Sequence, residues 1–324
     1  MSILQESENA EVQYDEYAKR ILSNRYVLAW IIKSTVAEFE GVSVERIATT
    51  CISEEISISK VRVMPGETNR KEKQSRIVGT NTEDKVPGEG VVYYDIRFSA
   101  YAPEKDEAVK ILLNIEAQKK YKLKYALVTR GIFYTARMLS AQLGTEFSAS
   151  DYSGMSKVYS IWICMNAPDY IGNAISEYSI RKRDIIGKIP DVREDYDKLS
   201  VVMICLNGTK KGKEKGTGIL ELLNTLLATD MKVEEKGKIL TEKYGIEVDE
   251  GFGEEIGHMC NLGEGIREDA LEEGIEQGIE LGVKTLIETC REFGISEEET
   301  RLKLEEKTEL SADVVDGFME KYWK

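Results

Sequence analysis

Two acidic residues and one amide have the types and the spacing that metal-assisted chemistry requires. Asp95 stands in the apolar run VVYYDIRF, and Glu116 and Gln118 stand in the next run, ILLNIEAQ. The stretch between the runs, APEKDEA, is typical of a turn, so together they predict a β-hairpin. A hairpin that folds about Lys105 and Asp106 places Asp95 opposite Glu116. Like charges directly across two strands are destabilising, so we expect a cation or a proton between the two acids.

Paired carboxylates without histidine or cysteine form a hard, oxygen-rich site that suits Mg²⁺ or Mn²⁺. Such an ion activates water and neutralises the charge that develops when a phosphodiester is displaced. Gln118 shares a strand face with Glu116, so its amide can orient water or donate to a phosphate oxygen, and Lys119 is a candidate for charge stabilisation. Acid–base work on a glycoside is an alternative, but the runs lack an aromatic platform for a sugar. Polar residues on a solvated sheet edge are the simplest alternative.

The surrounding segments predict an α/β fold. Residues 14–40 have apolar positions at helical spacing and predict one amphipathic opening helix. Short apolar runs at 157–166 and 198–208 predict strands that are buried on both faces. Residues 173–187 between them are compatible with a strand or a helix. We therefore expect a mixed β-sheet flanked by helices.

Residues 65–90 are polar and rich in glycine and proline, which predicts a long loop. Two interpretations stay open for it. It is either a solvated loop, or a flap that brings basic groups or a further carboxylate to the acidic pair.

The helix predicted after the hairpin carries Arg130, Tyr134 and Arg137 on one face, because their spacing is i, i+4 and i+7. Such a face is suited to phosphate contacts. A salt-bridged surface face is an equally good interpretation of the same spacing.

Charge and composition restrict the class of partner. The chain up to Gly218 has 32 basic and 30 acidic residues, whereas 12 basic and 28 acidic residues follow it. The acidity thus belongs to the C-terminal part, and the N-terminal part is compatible with DNA as a partner. Five well-separated cysteines are typical of reduced thiols in a cytoplasmic protein. The single histidine, His258, is expected to be an ordinary surface or core residue, which disfavours histidine-dependent catalysis.

No apolar stretch approaches the roughly 20 residues that a membrane-spanning helix needs, and no secretory signal precedes the opening helix. We therefore expect no membrane association.

Glycine and lysine in GTKKGKEKGTG mark a linker. The predicted organisation is a domain at 1–210, a linker at 211–218 and an all-helical acidic tail at 219–324. Within the tail, the segment Gly263–Phe293 predicts a long helix. Its small residues recur every four positions, which indicates close approach of another helix, either within the tail or between subunits, and we expect a homo-oligomer assembled through the tail. These small residues are Ala270, Gly274, Gly278 and Gly282.

Several blocks together resemble a known family. VVYYDIRFSAYAP, NIEAQKKY, LVTRGIFYTARMLSAQL and VYSIWICMNAP are similar to blocks of the PD-(D/E)XK nuclease family transposases, relatives of recombination-promoting nucleases. The resemblance covers roughly residues 15–208. It implies a restriction-endonuclease-like mixed β-sheet flanked by helices and a Mg²⁺-dependent DNA endonuclease activity.

The resemblance also implies roles for individual residues. Asp95 matches the first metal-binding acid, and Glu116 matches the acid of the (D/E)-x-K element. Tyr94 stands where the name motif has proline, and Gln118 stands where it has lysine. Glu38 matches an auxiliary acid that some members carry in the opening helix.

The leading functional hypothesis is therefore a metal-dependent DNA endonuclease of mobile-element type. A catalytically weak or silent nucleic-acid-binding or scaffold protein that assembles through its tail is the alternative from a different class. Hydrolysis of small phosphodiesters is a third hypothesis, which an absence of DNA affinity at low salt would favour.

Overall fold

The structure, a computed structural model, describes most of the chain. It describes residues 3–58, 83–86, 90–103, 108–118, 121, 123–148, 151–208, 218–228, 231–308 and 310–323. Most of the predicted loop at 65–90 lies outside these residues, although residues 83–86 within it form a strand rather than a loop. Lys119, the turn at 104–107 and the predicted linker at 211–217 also lie outside them.

A six-stranded mixed sheet organises the first two thirds of the chain. The strands are β1 Ile52–Ile58, β2 Glu83–Val86, β3 Gly90–Tyr93, β4 Ile96–Pro103, β5 Ala108–Gln118, β6 Lys157–Cys164, β7 Ala174–Ser179 and β8 Leu199–Cys205. The order across the sheet is β1-β4-β5-β6-β8-β7, and β2 and β3 form a separate pair. The central strands β5, β6 and β8 are parallel, and the outer strands pair antiparallel.

Central strands of such a sheet are covered on both faces, as the apolar runs predicted. All eight residues of β6 are buried, and so are six of the seven residues of β8. The segment at 173–187, whose sequence is compatible with a strand or a helix, contributes the edge strand β7. Most of β7 is exposed. The α/β prediction with a mixed sheet flanked by helices is thus confirmed.

Helices flank the sheet and make up the described elements after Gly218. They are α1 Ile3–Leu22, α2 Arg25–Thr35, α3 Val44–Arg46, α4 Leu127–Ser140, α5 Arg193–Tyr196, α6 Ile219–Leu227, α7 Val233–Tyr244, α8 Glu250–Glu292, α9 Glu297–Thr308 and α10 Ala312–Tyr322. Within the described residues, none of them combines the length and the apolar character needed to cross a bilayer. All five cysteines are buried and unpaired.

Two helix predictions were wrong in their bounds, and side-chain capping explains both. The single helix predicted over 14–40 is two helices, because the Asn24 side chain accepts hydrogen bonds from the first N–H groups of α2 and starts a new helix there. The long helix predicted from Gly263 begins at Glu250 instead. There the Asp249 carboxylate accepts a hydrogen bond from the N–H of Phe252.

Helix α4 packs closely on β6 and β8 because a glycine faces the sheet. A Cβ at Gly131 would lie 2.7 Å from Cγ1 of Val201 and 3.1 Å from Nε1 of Trp162. Val201 is β-branched and stiff, so it cannot move aside easily. The absence of a side chain at this position lets the backbone of α4 approach the sheet closely.

Alanine at position 131 is therefore expected to be destabilising although alanine favours helices. We expect Gly131→Ala to lower the free energy of unfolding by about 1–3 kcal/mol through overpacking. Gly237→Ala in α7 is the matched control. No described atom lies within 4 Å of a Cβ there, so it should raise stability by about 0.5–1 kcal/mol. Urea unfolding of both variants measures the difference, and equal stabilities would contradict the tight contact.

The chain forms two compact units, Glu8–Gly263 and Glu264–Lys324 with Met1–Ser7. The first unit contains the sheet together with α6 and α7. Trp30 on α2 donates a hydrogen bond from Nε1 to the carbonyl of Tyr244 at 3.0 Å, which ties the end of α7 to this unit. The predicted domain limits at 210 and 219 stay predictions.

The second unit has a small core of its own, formed by Val283, Ile287, Leu304, Val315 and Met319. On α8, no described atom lies within 4 Å of the Cβ positions of Gly274, Gly278 or Gly282. The helix that these glycines were expected to meet is therefore not among the described residues of this chain. Assembly of a homo-oligomer through this line stays a prediction.

Candidate active site

The hairpin register brings Asp95 and Glu116 together as predicted. Ile96 pairs with Ile115, so the next positions along the two chains are Asp95 and Glu116. The N–H of Asp95 donates to Oε1 of Glu116 at 3.2 Å, and the N–H of Ala117 donates to Oδ2 of Asp95 at 3.0 Å. Each carboxylate is thus held by a backbone group at or beside the other acid.

The continuous strand predicted through VVYYDIRF is wrong at its centre. β3 ends at Tyr93 and β4 begins at Ile96, and Asp95 lies in the bend between them. Alternation along one strand would place Tyr94 on the face of Ile96. Instead Tyr94 is fully buried in the core cluster on the α4 side of the sheet, where its ring packs edge-on against Tyr134 with centroids 5.6 Å apart. This anchoring bends the backbone and frees Asp95 from the strand ladder.

A lysine from the opening helix provides the cation that the register required. Nζ of Lys19 lies 2.9 Å from Oδ1 of Asp95 and 2.9 Å from Oδ2 of Asp15. Burial alone would lower the pKa of Lys19, but Asp95 and Asp15 raise it above its ordinary value, so the ammonium stays charged. Sequence reasoning missed Lys19. The available signal was a lysine adjoining Ala18 and Ile21 on the buried face of α1.

One proton is expected at the acidic pair as well. Burial raises the pKa of Asp95, an effect that the charge of Lys19 opposes. Burial and the charge of Asp95 raise the pKa of Glu116 well above its ordinary value. Asp95 has the ammonium of Lys19 and the N–H of Ala117 as donors, so the protonated form is favoured more strongly at Glu116 than at Asp95.

Two of the predicted DNA-contact residues lie next to Glu116 but face inward. Nη2 of Arg130 donates to the hydroxyl of Tyr134 at 2.8 Å, and the guanidinium lies over the Trp162 ring at 5.3 Å. The charge of Arg130 opposes the rise in the pKa of Glu116. Burial and Glu116 raise the pKa of Tyr134 to about 12, so its hydroxyl stays neutral and accepts the hydrogen bond from Arg130. The helix face at i, i+4 and i+7 is therefore the face that packs on the sheet.

Arg137, the third residue of that face, is 4% exposed. A phosphate contact by its guanidinium would first require it to leave the core, and the same holds for Tyr134, which is 3% exposed. Arg130 is only partly buried, which leaves it the most accessible to a ligand.

The structure does not bring Glu38 to the acidic pair. Glu38 lies in the 3-10 turn Ala37–Phe39, where its carboxylate contacts Nζ of Lys157 at 2.9 Å and accepts a hydrogen bond from the Tyr159 hydroxyl at 2.7 Å. Lys157 pairs with Ile111, five positions before Glu116 on β5. At about 3.3 Å per residue, this puts the partner of Glu38 roughly 16 Å from Glu116 along the strands.

Gln118 is the last residue of β5, pairs with Cys164 and is partly exposed. It therefore lies two positions beyond Glu116 on the same strand face, as the alternation predicted. Lys119 follows it outside the described residues, so its predicted role stays a prediction.

The donor set suits the implied ion in kind and in number. Mg²⁺ is usually held by one or two protein carboxylates together with water and substrate phosphate, and Asp95 and Glu116 supply two. Among the residues whose positions are described, no cluster of three or more acidic, histidine or cysteine side chains has metal-binding geometry. A closed, all-protein cage is thus absent from the described part of the chain, whereas a two-carboxylate site fits it.

No family model, curated protein or solved structure matches the chain. The resemblance to PD-(D/E)XK nucleases accordingly stays a prediction from the quoted motifs.

Proposed function

We propose that the chain is a metal-dependent endonuclease of mobile-element type that hydrolyses phosphodiester bonds in DNA. The single observation that carries the proposal is the meeting of Asp95 and Glu116, two buried carboxylates fixed by reciprocal backbone hydrogen bonds. Two buried acids that lie next to each other repel unless positive charge lies beside them. The resemblance of the surrounding motifs to PD-(D/E)XK nucleases supplies the reaction class.

Asp95 and Glu116 would hold Mg²⁺ or Mn²⁺, which when bound lowers the pKa of the attacking water and neutralises charge on the phosphate. The (D/E)-x-K element has a lysine where this chain has Gln118. Lys19 performs the role of that lysine, because its ammonium lies 2.9 Å from Asp95. Gln118 orients water or a phosphate oxygen through its amide. Arg130 balances charge beside Glu116 and is a further candidate for a phosphate contact.

Burial of the site favours a second candidate function. Lys19, Asp95 and Glu116 are only 2–4% exposed, and a buried ion pair of this kind can also serve to fix a fold. The second candidate is a catalytically silent nucleic-acid-binding or scaffold protein in which Lys19 and Asp95 lock α1 to the hairpin. It predicts DNA binding without cleavage in any metal.

A plasmid assay distinguishes the two functions. With Mg²⁺ or Mn²⁺ the purified protein is expected to nick supercoiled plasmid, and EDTA should stop the reaction. Asp95→Asn should also stop it, because the amide cannot supply a charged oxygen to the ion. Cleavage that survives Asp95→Asn would refute the assignment of the site. Plasmid binding without nicking in either metal would favour the silent protein.

A further inference from the structure

A pocket of about 390 Å³ lies where the chain enters α4, on the same side of the sheet as Glu116. Its volume is in the range of small-ligand sites. Three tyrosines line it, together with one lysine and one methionine from β8. These residues are Tyr121, Tyr125, Tyr178, Lys124 and Met203. No carboxylate is among the described residues that line it, so the pocket is suited to a flat, neutral ring with an anionic neighbour rather than to a cation.

The wall of the pocket is connected to the acidic pair through one side chain. Nη1 of Arg130 donates to the hydroxyl of Tyr125 at 3.3 Å. The same guanidinium lies over the rings of Tyr134 and Trp162, and Trp162 pairs with Glu116 across β5 and β6. A ligand that fills the pocket therefore lies beside Tyr125 and the guanidinium that neighbours Glu116, and negative charge on the ligand is favoured there.

Basic residues also follow Tyr178, one of the lining tyrosines, along the chain. Tyr178 lies on the edge strand β7, and Arg181 and Arg183 follow it on the surface. Neither arginine forms an ion pair with the described residues, whereas Lys182 between them contacts the carboxylates of Asp184 and Asp191. Cations therefore lie near two of the lining tyrosines, Arg130 at Tyr125 and the exposed arginines after Tyr178, as a polyanionic strand would require.

We propose that this pocket holds an unpaired nucleobase of the strand whose phosphodiester lies at Asp95 and Glu116. The inference rests on the proposed function and names its substrate class, which is DNA with a single-stranded or extruded base beside the cut. Tyrosine rings stack on any base, so the pocket selects unpaired bases without selecting a sequence. A base inside an intact duplex is stacked and paired, and it must leave the helix before it can enter.

Binding to labelled oligonucleotides in EDTA tests the inference apart from cleavage. We would compare a single strand of about 12 nucleotides with a blunt duplex of the same sequence by fluorescence anisotropy at low salt. The wild type should bind the single strand more tightly. Tyr178→Ala should weaken single-strand binding about 10-fold and leave duplex binding unchanged, because only the unpaired base stacks on the ring. Tyr178→Phe keeps the ring and should retain the wild-type affinity.

Tyr101→Ala is the matched control, since Tyr101 is also a strand tyrosine and is 41% exposed against 43% for Tyr178. It should bind as the wild type does. Equal losses in Tyr178→Ala and Tyr101→Ala, equal losses on single strand and duplex, or no binding to either DNA would overturn the inference. Tighter binding of the single strand that depends on Tyr178, without any nicking of plasmid, would refute only the proposed activity. Nicking with an unaffected Tyr178→Ala would refute only the pocket.

Discussion

Replacing Glu116 by glutamine is expected to lower metal-dependent cleavage by about 100- to 1,000-fold, the effect of removing one electrostatic group from a catalytic site. The amide is almost the same size as the protonated carboxyl, and the hydrogen bond from the N–H of Asp95 to Oε1 can persist. What is lost is the negative oxygen that would bind the ion. The rate of plasmid nicking at saturating Mg²⁺ measures the effect.

Glu38→Gln is the matched control, because Glu38 is an acid in a partly buried network with Lys157, away from the hairpin acids. Its cleavage rate should stay near that of the wild type. An equal loss would instead support the auxiliary-acid role that the family resemblance gives to Glu38. A Glu116→Gln variant that cleaves like the wild type would contradict the two-carboxylate site.

The same variant has an expected signature in stability. Glu116 has a pKa above its ordinary value of 4.5 in the folded protein, so the folded state holds the proton more tightly than the unfolded state. Its contribution is therefore fully present below about pH 4.5 and is lost as the pH rises through the folded pKa. The loss is at most about 1.4 kcal/mol per pH unit. Glutamine carries no such proton, so in EDTA the variant should become more stable than the wild type as the pH rises.

Urea unfolding in EDTA at several pH values from 5 to 8 measures this difference. Added Mg²⁺ should reduce it, because an ion that binds only the folded wild type stabilises that state. A difference that does not change with pH would mean that Glu116 is ionised in the metal-free protein. In that case Lys19 or Arg130 compensates its charge more fully than the geometry indicates.

Lys19→Met is the second change with a large expected effect. Methionine fills similar space but leaves Asp95 buried without its ammonium, which is expected to cost about 3–5 kcal/mol of unfolding free energy at neutral pH. Cleavage per folded molecule should also fall by about 100-fold if the ammonium stabilises the phosphate in the transition state. Urea unfolding and single-turnover cleavage measure the two effects.

A double variant separates charge from packing. Lys19→Met with Asp95→Asn removes both charges, so it should recover much of the stability that Lys19→Met loses. Lys236→Met is the control for general destabilisation, since Lys236 is also buried but donates to the carbonyl of Leu226. It should lose stability without losing cleavage per folded molecule. Equal cleavage losses in Lys236→Met and Lys19→Met would mean that Lys19 has no role in catalysis beyond stability.

Local patterns were sufficient for the hairpin and the buried strands. The pairing that sets Ile96 against Ile115 follows from the turn composition between two alternating runs, and it fixed the meeting of Asp95 and Glu116. The bend at Asp95 was not predictable in the same way. It depends on where the Tyr94 ring packs, and Tyr134 and Trp162 come from distant parts of the chain.

Helical spacing likewise predicted that Arg130, Tyr134 and Arg137 share a face, but spacing cannot say which side of a helix meets the sheet. Gly131 decides that question by allowing α4 to approach Val201, and the face turns inward as a result. The same limit applies to Glu38. The short turn that carries Glu38 and the start of β6 meet only in the folded chain, where Lys157 forms an ion pair with the Glu38 carboxylate.

The sequence by itself determined that two carboxylates meet across a hairpin and that a positive charge must compensate them, because strand register and like-charge repulsion are local properties. Only the tertiary structure decided that Lys19 supplies this charge and that Arg130 stands between Glu116 and a tyrosine-lined pocket. Both depend on how α1 and α4 dock on the sheet. Their docking is decided by burial of apolar surface and by close packing, which no short spacing records.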